Sequence, residues 1–338
     1  MSTKTYLVTG GAGFIGSRFV HYILGKYSDV KMINVDKLTY AGNQENLKDV
    51  SDDDRYKFYH DDICDKKRMA EIFKEHKPAV VVNFAAESHV DRSIGSPEDF
   101  INTDVYGTFI LLEEARKSGI ERFIQISTDE VYGSTLGEPF RETDPLMPSS
   151  PYSASKTGAD RLAYSYFKTY DLPVIITRAS NNYGSHQYPE KLIPLFITNA
   201  IDEKPLPLYG DGLNVRDWIY ADDHCSAIDF ITAQGVLGEV YNVGGGNELT
   251  NIMITDSILK LTGKSKELIK YVNDRPGHDK RYALDTAKLS ALGWDPSTDF
   301  SAGMEKTVKW YMENRSWWEP LKSGEYLEYY KNNYGMEL

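Results

Sequence analysis

Two short groups of residues in this 338-residue chain have the types and spacing to move protons together. Asp129 and Glu130 are neighbours in Ser127-Thr128-Asp129-Glu130, and Tyr152 and Lys156 stand four positions apart in Tyr152-Ser153-Ala154-Ser155-Lys156. On a helix that spacing puts the phenol and the ammonium on one face. A nearby cation favours the phenolate, so the tyrosine pKa is expected to fall toward neutrality and Tyr152 to act as base on an alcohol. Ser127 or Thr128 would donate a hydrogen bond to the reacting oxygen. The carboxyl pair offers something that alcohol oxidation does not require. A ketone in a bound molecule makes the hydrogen on the neighbouring carbon acidic, so one carboxylate can remove it while the other carboxyl protonates a departing hydroxyl. Adjacent acids in a cleft poor in water have their pKa values pushed apart, which suits those two roles.

The elements that must hold these groups can be read around them. Arg122-Phe123-Ile124-Gln125-Ile126 is an apolar run of strand length, so the carboxyls emerge at its carboxyl end, where open α/β sheets bind ligands. The Tyr152 segment opens a helix. Upstream, the β-rich Thr5–Thr9 runs into Gly10-Gly11-Ala12-Gly13-Phe14-Ile15-Gly16 and a helical pattern. Gly10 suits the tight turn, Gly13 the approach of backbone amides to a diphosphate, and Gly16 close helix packing. The first interval is one residue longer than in the common dinucleotide fingerprint. A second strand, Lys31–Asp36, ends in an acid about 20 residues past the last glycine, the place of a ribose diol, which favours NAD over NADP. Lys37 beside it weighs the other way.

Tyr56–His60 reads as a third strand, with Asp62-Ile63 at its end placed to bracket an adenine; Asp62 could equally cap the next helix. Ala79–Phe84 is a continuous apolar strand, delivering Ala85, Ala86, Glu87, Ser88 and His89 to the same edge. A helix over 97–117, the Arg122 strand, a helix over 151–170 and a strand over 173–178 follow. This alternation predicts an α/β fold, a doubly wound parallel sheet of Rossmann type. After Arg178 the pattern changes to a smaller mixed α/β domain: a turn at Asn181–Gly184, a helix from Glu190, a loop around Pro205–Gly212, and a helix near 223–232. A strand at Val240–Val243 rejoins the sheet. Trp317-Trp318 and the tail tyrosines read as packing.

Composition narrows the class. A 41% hydrophobic and 26% charged chain is that of an ordinary water-soluble globular protein. The net charge of −12 argues against a nucleic-acid or anionic-membrane partner. A phosphorylated ligand would therefore need a local cationic pocket. Cys64 and Cys225 lie far apart without metal-ligand spacing, so no disulfide framework and no metal site is expected. Met1 runs almost directly into the first strand without a signal-like region, and no apolar run has membrane-spanning length, so the cytoplasm is the expected compartment.

Thr9–Gly16 with Tyr152 and Lys156 resembles the extended short-chain dehydrogenase/reductase superfamily of nucleotide-sugar enzymes. Within it, Asp36–Asn43, Ala85–Ser93, Thr128–Gly133, Ser180–Gly184, Pro189–Pro194, Tyr209–Gly212, Arg216–Trp218, Asp274–Asp279 and Asn314–Trp318 are similar to the family of dTDP-glucose 4,6-dehydratases. The likeness covers nearly the whole chain. It implies a bound NAD and a dTDP-glucose substrate oxidised at C4, dehydrated across C5 and C6, and reduced at C6. Tyr152 would take the 4-hydroxyl proton, Glu130 the C5 proton, and Asp129 would protonate the leaving hydroxyl. The resemblance adds Phe14, Ile15, Lys37, Thr39, Ala85, Ala86, Ser88 and Thr103 to the cofactor contacts. It also implies that Thr128 and Ser88 sit at the sugar, that Arg216 and Arg275 hold the diphosphate, and that Asn181, Lys191, Leu192, Pro207, Tyr209, Asn251 and His278 line the nucleotide site.

The change of pattern after Arg178 also divides the chain. Residues 1–178, rejoined by about 217–243, would bind NAD, and 179–216 with 244–338 would bind the nucleotide sugar. The likeness implies a homodimer formed through the helices near 97–117 and 151–170. Two positions depart from the family pattern: Asp104 stands where an asparagine is common, and Asp61 where glycine is usual. A 4-epimerase or decarboxylase would need Tyr152, Lys156 and NAD but not Asp129 and Glu130. A regulatory protein without catalysis would lack at least one of the four.

Overall fold

The computed structural model describes residues 3–274 and 278–336. Its strands in chain order are β1 (Lys4–Thr9), β2 (Val30–Asp36), β3 (Tyr56–His60), β4 (Val80–Asn83), β5 (Arg122–Thr128), β6 (Val174–Ala179), β7 (Asn181–Tyr183), β8 (Leu206–Tyr209), β9 (Val215–Tyr220), β10 (Val240–Val243), β11 (Glu248–Thr250) and β12 (Ile269–Val272). Seven of them form one sheet in the order β10-β6-β5-β4-β1-β2-β3. Every pairing in it is parallel. The strand order reverses between β1 and β4, which opens a crevice outside their carboxyl ends.

Strands buried on both faces need apolar side chains in both directions, and β1 supplies them alternately. Tyr6 and Val8 pack with Phe19, Val20 and Ile23 of the helix Phe14–Lys26 and with Ile228 and Ile231 of the helix Ala221–Gln234. Leu7 packs on the other face with Met69, Ile72, Leu111 and Ala163, from helices Lys66–His76, Thr108–Ser118 and Pro151–Tyr170. β10 returns to the sheet beside β6, as its sequence suggested.

A separate apolar core lies outside the sheet, built by helices Leu192–Ile201, Asn251–Thr262 and Phe300–Glu313. Trp318, Tyr326 and Tyr330 of the aromatic tail are buried in it. Two small sheets accompany it, β11-β9-β7 and β12-β8.

Four local expectations are corrected: Leu206–Tyr209, expected within a loop, is a strand because its backbone pairs in parallel with β12. Asn181–Tyr183 is a strand rather than a turn, because its backbone pairs in parallel with β9. Asp65, not Asp62, caps the helix Lys66–His76, accepting from the amides of Lys67 and Arg68. The helix expected over 97–117 is interrupted: Pro97–Phe100 is α-helical, Ile101–Gly107 is a π-helix, and Thr108–Ser118 is α-helical again. A π turn holds one more residue than an α turn and redirects the side chains around it. Here it buries Asp104 at 1% exposure. Gly107 is required at its end, since a Cβ there would lie 2.4 Å from Ile63 Cδ1.

Candidate active site

A cavity of about 350 Å³ runs along the crevice from the glycine turn to Tyr152. Gly10 takes φ +69°, and a Cβ on it would lie 2.6 Å from the Ala85 amide nitrogen, so the turn fits against the end of β4 only as glycine. Gly16 meets the Gly10 carbonyl in the same way, at 2.3 Å from an added Cβ. Gly13 starts the helix without a side-chain cap, leaving first-turn amides to face the cavity with Phe14 and Ile15. That is an anion site at a positive helix end.

Asp36 closes the other end of this half. Its Oδ2 accepts from the Ala12 amide and its Oδ1 from the Leu38 amide, both at 2.8 Å, so the carboxylate braces the glycine turn as well as bordering the cavity. Burial raises its pKa, opposed by those backbone donors. Lys37 Nζ is paired with Asp62 at 2.8 Å, which removes it as a ready partner for a 2′-phosphate. Thr39, Ile63, Ala85, Ala86, Ser88 and Thr103 complete the walls. Asp61 is taken up by Arg68 at 2.9 Å. The uncapped amides, glycine cradle and buried acid fit a dinucleotide with a free ribose diol.

At the far end β5 delivers Thr128, Asp129 and Glu130, the last two opening a 3-10 turn that the Thr128 hydroxyl caps through the Glu130 amide at 3.3 Å. Asp129 is 3% exposed; its Oδ1 accepts from the Thr128 hydroxyl at 3.1 Å, while its Oδ2 has no hydrogen-bond partner among the described residues. Burial and then the charge of Glu130 push its pKa up to about 8, so it carries its proton at neutral pH. A buried, protonated carboxyl with an unpartnered oxygen, on a residue that borders the cavity, is suited to giving that proton to a leaving group.

The catalytic helix Pro151–Tyr170 begins with a capping box between Ser150 and Ser153, which fixes the orientation of Tyr152 and Lys156. Lys156 is buried and donates to the Ile126 carbonyl at 2.8 Å. Burial lowers its pKa, opposed by Asp104 and Asp160. The expected fall of the Tyr152 pKa is not found. Burial, then Glu130 and Asp104, hold the phenol well above its usual value, with the Thr128 hydroxyl acting the other way. The cause is that sequence spacing counted one lysine and neither the burial of the phenol nor the nearby carboxyls of Glu130, Asp104 and Asp129.

A second cavity of about 150 Å³ continues past Glu130 and shares Asn181, Lys191 and Leu192 with the first. Pro207, Tyr209, Arg216, Asn251 and His278 line it, so the structure brings these sequence-selected residues together. Arg216 is held by donations to the carbonyls of Val215 and Asp279 and lies over the Tyr282 ring at 4.2 Å. Lys191 Nζ donates to the Ser88 carbonyl. Arg275 lies outside the described residues.

Some contributors had no decisive sequence signal. Glu190 is buried, pairs with Arg92 at 3.0 Å and reaches both cavities, while Arg92 stacks 3.8 Å from the Tyr40 ring. Tyr334 lines the nucleotide end with its ring 5.6 Å from that of Tyr209, so one tail tyrosine read as packing borders the cavity. In the sequence, Glu190 and Arg92 are legible only as members of the family-like segments Pro189–Pro194 and Ala85–Ser93, and Tyr334 carries no signal.

A Rossmann sheet with a glycine turn at one end of its crevice and Tyr152 with the buried Lys156 on one helix at the other defines a dinucleotide-dependent enzyme of the extended short-chain dehydrogenase/reductase type. The particular branch follows from comparison: residues 7–307 match the GDP-mannose 4,6 dehydratase family, and the chain belongs to it. It is 49% identical to dTDP-glucose 4,6-dehydratase of Neisseria meningitidis, over 96% of this chain and 97% of that protein. A crystal structure of DesIV, the dTDP-glucose 4,6-dehydratase of Streptomyces venezuelae with NAD bound, superposes with a TM-score of 0.92 at 50% identity, covering 94% of this chain and all of that one. The dTDP-glucose 4,6-dehydratase of Bacillus anthracis in complex with NAD gives 0.89 at 51%, over 94% of this chain and 100% of that one.

Proposed function

We propose that the chain is an NAD-dependent hydro-lyase converting dTDP-glucose to dTDP-4-keto-6-deoxyglucose. The observation that carries this reading is the buried, proton-bearing Asp129 beside Glu130 on the cavity shared with Tyr152. An epimerase or decarboxylase of the same fold has no use for that pair. The sequence likeness at about half identity over nearly the full chain supports the same substrate.

Gly10, Gly13, Phe14, Ile15, Gly16, Asp36 and the walls from Lys37 to Thr103 hold NAD. When bound, NAD supplies the acceptor that oxidises C4 and the donor that later reduces C6. Tyr152 accepts the 4-hydroxyl proton in its phenolate form, which burial and the carboxyls of Glu130 and Asp104 disfavour; Thr128 bonds the same oxygen, and the buried Lys156 lies one helical turn further along. Glu130, at the junction of the two cavities, takes the C5 proton and returns a proton to C5 when C6 is reduced. Asp129 gives its proton to the departing 6-hydroxyl, so water leaves with its oxygen from the sugar and both hydrogens accounted for. Arg216 and Arg275 bind the diphosphate as guanidinium forks, and Asn181, Lys191, Tyr209, Asn251 and His278 enclose the nucleoside.

The two halves of the chain divide this work, with 1–178 and about 217–243 on the cofactor and 179–216 with 244–338 on the nucleotide sugar; the separate core around Phe196, Ile254 and Met304 supports that division. The enzyme acts in the cytoplasm, in keeping with two free thiols. Among the described residues no helix is long and apolar enough to cross a membrane. It works as a homodimer, supported by Ile101, Tyr106 and Tyr170, which are 57%, 47% and 50% exposed on the helices named above.

Incubating the purified protein with dTDP-, UDP- and GDP-glucose and weighing the products tests the reading. The expected result is loss of the mass of one water from dTDP-glucose with no net NADH. An unchanged mass with inverted C4 would overturn it.

A further inference from the structure

Asp104 is a buried carboxyl that the reaction above does not use, delivered inward by the π turn Ile101–Gly107. Its two oxygens join two other elements. Oδ1 accepts from the Glu87 amide at 3.0 Å, in the loop after β4 that walls the cofactor cavity. Oδ2 lies 2.6 Å from the Ser155 hydroxyl, on the catalytic helix between Tyr152 and Lys156.

The protons at this junction can be counted. Ser155 Oγ is also 2.8 Å from the Tyr152 carbonyl, and a hydroxyl has one proton to give. If Asp104 is ionised, Ser155 donates to it and cannot donate to the carbonyl. If Asp104 is protonated, it donates to Ser155 Oγ, and Ser155 donates onward to the Tyr152 carbonyl. Both states keep the Glu87 amide bond, and they differ by one negative charge beside the active pair.

We propose that Asp104 is a positioning residue with two working protonation states, tying the β4 loop to the catalytic helix and setting the charge next to Tyr152 and Lys156. The groups facing it are Tyr152 and Lys156 from the helix, Glu87 from the β4 loop and Cys64 from the loop after β3. Burial, opposed by Lys156, Ser155 and the Glu87 amide, pushes Asp104 up to about 7. The switch therefore lies in the physiological range. When ionised, Asp104 supports the Lys156 ammonium and raises Tyr152 further.

This inference rests on Tyr152 being the base of the proposed reaction, and its test has an arm that does not. Asp104→Asn mimics the protonated form: its amide donates to Ser155 and its carbonyl accepts from Glu87. Thermal unfolding of the NAD-loaded wild type and of Asp104→Asn is followed from about pH 5 to about pH 9. A carboxyl whose folded pKa is raised loses stability as pH rises toward that pKa, so the Tm of the variant should gain on wild type up to about pH 7 and then run parallel. The pH profile of kcat for dTDP-glucose should lose an inflection near 7 in the variant. Asp104→Ala, which breaks both ties, should lower kcat at every pH by about tenfold relative to Asp104→Asn. A Tm offset independent of pH with superimposable profiles would overturn the switch, and equal kcat in the Ala and Asn variants would overturn the tie. Wild type that leaves dTDP-glucose untouched would sink the proposed function, while the unfolding arm would still decide Asp104.

Discussion

Asp129 and Glu130 are consecutive in the chain yet occupy different environments, and that difference divides their labour. Asp129 turns into the protein beneath Thr128, where burial keeps its proton; Glu130 faces the junction of the two cavities. Glu130→Gln is expected to leave C4 oxidation in place and slow elimination by about 10²–10⁴-fold, the usual value of a positioned base. Rapid-quench mass analysis would then find a 4-keto sugar that still has its 6-hydroxyl; full dehydratase turnover would remove Glu130 as the C5 base. A proton donor works only while protonated. Elimination should accordingly fall as pH rises through about 8, the value to which Asp129 is raised, and single-turnover dehydration rates across that range would read it. Asp129→Asn should abolish that limb of the profile.

At the scale of elements, the catalytic helix is held to the sheet from below by an ion pair. Asp160 of the helix lies 2.9 Å from Arg178 of β6, both buried, and Arg178 also donates to the Tyr132 hydroxyl at 2.7 Å, which in turn donates to Asn242 of β10. Burial opposes the Asp160 carboxylate, but the hydrogen bonds and charge of Arg178 outweigh it and hold its pKa below the usual range. Arg178→Ala leaves the buried Asp160 carboxylate with only the partly exposed Arg161 as a cationic partner, so it should cost about 3 kcal/mol in denaturant unfolding, the low end for a broken buried pair. Because the Asp160 pKa is lowered by folding, the stabilisation is present above the unfolded carboxyl pKa and is lost as pH falls through the folded one. The variant's deficit should shrink in acid.

For the whole molecule, the crevice between β1 and β4 and the second core past β6 border two cavities that meet at Glu130, Asn181 and Lys191; under the proposed function, cofactor and nucleotide would occupy opposite ends of them, with Asp129, Glu130 and Tyr152 between. The proposed dimer uses the side of the molecule formed by the interrupted helix and the catalytic helix. Ile101→Asp combined with Tyr106→Asp should give a monomer by light scattering, since two charges would be buried without partners; an unchanged mass would place the interface elsewhere.

The sequence by itself determined the sheet strands, the glycine turn, Asp36, the carboxyl pair and the Tyr-Lys helix. Each is written in local terms: apolar runs of strand length, glycines where a Cβ has no room, a helical spacing of four. It was also sufficient for the family. What only the tertiary structure decided were the properties that depend on distant neighbours. The π turn that buries Asp104, the partnership of Glu190 with Arg92 and the approach of Tyr334 to the nucleotide end join residues far apart in the chain. The Tyr152 pKa followed the same rule. Lys156 was visible at four residues' distance, but what sets the phenol is its burial and the carboxyls of Glu130 and Asp104, brought in from other segments. Electrostatic energy depends on separation and solvent exposure in space, and spacing along the chain records neither.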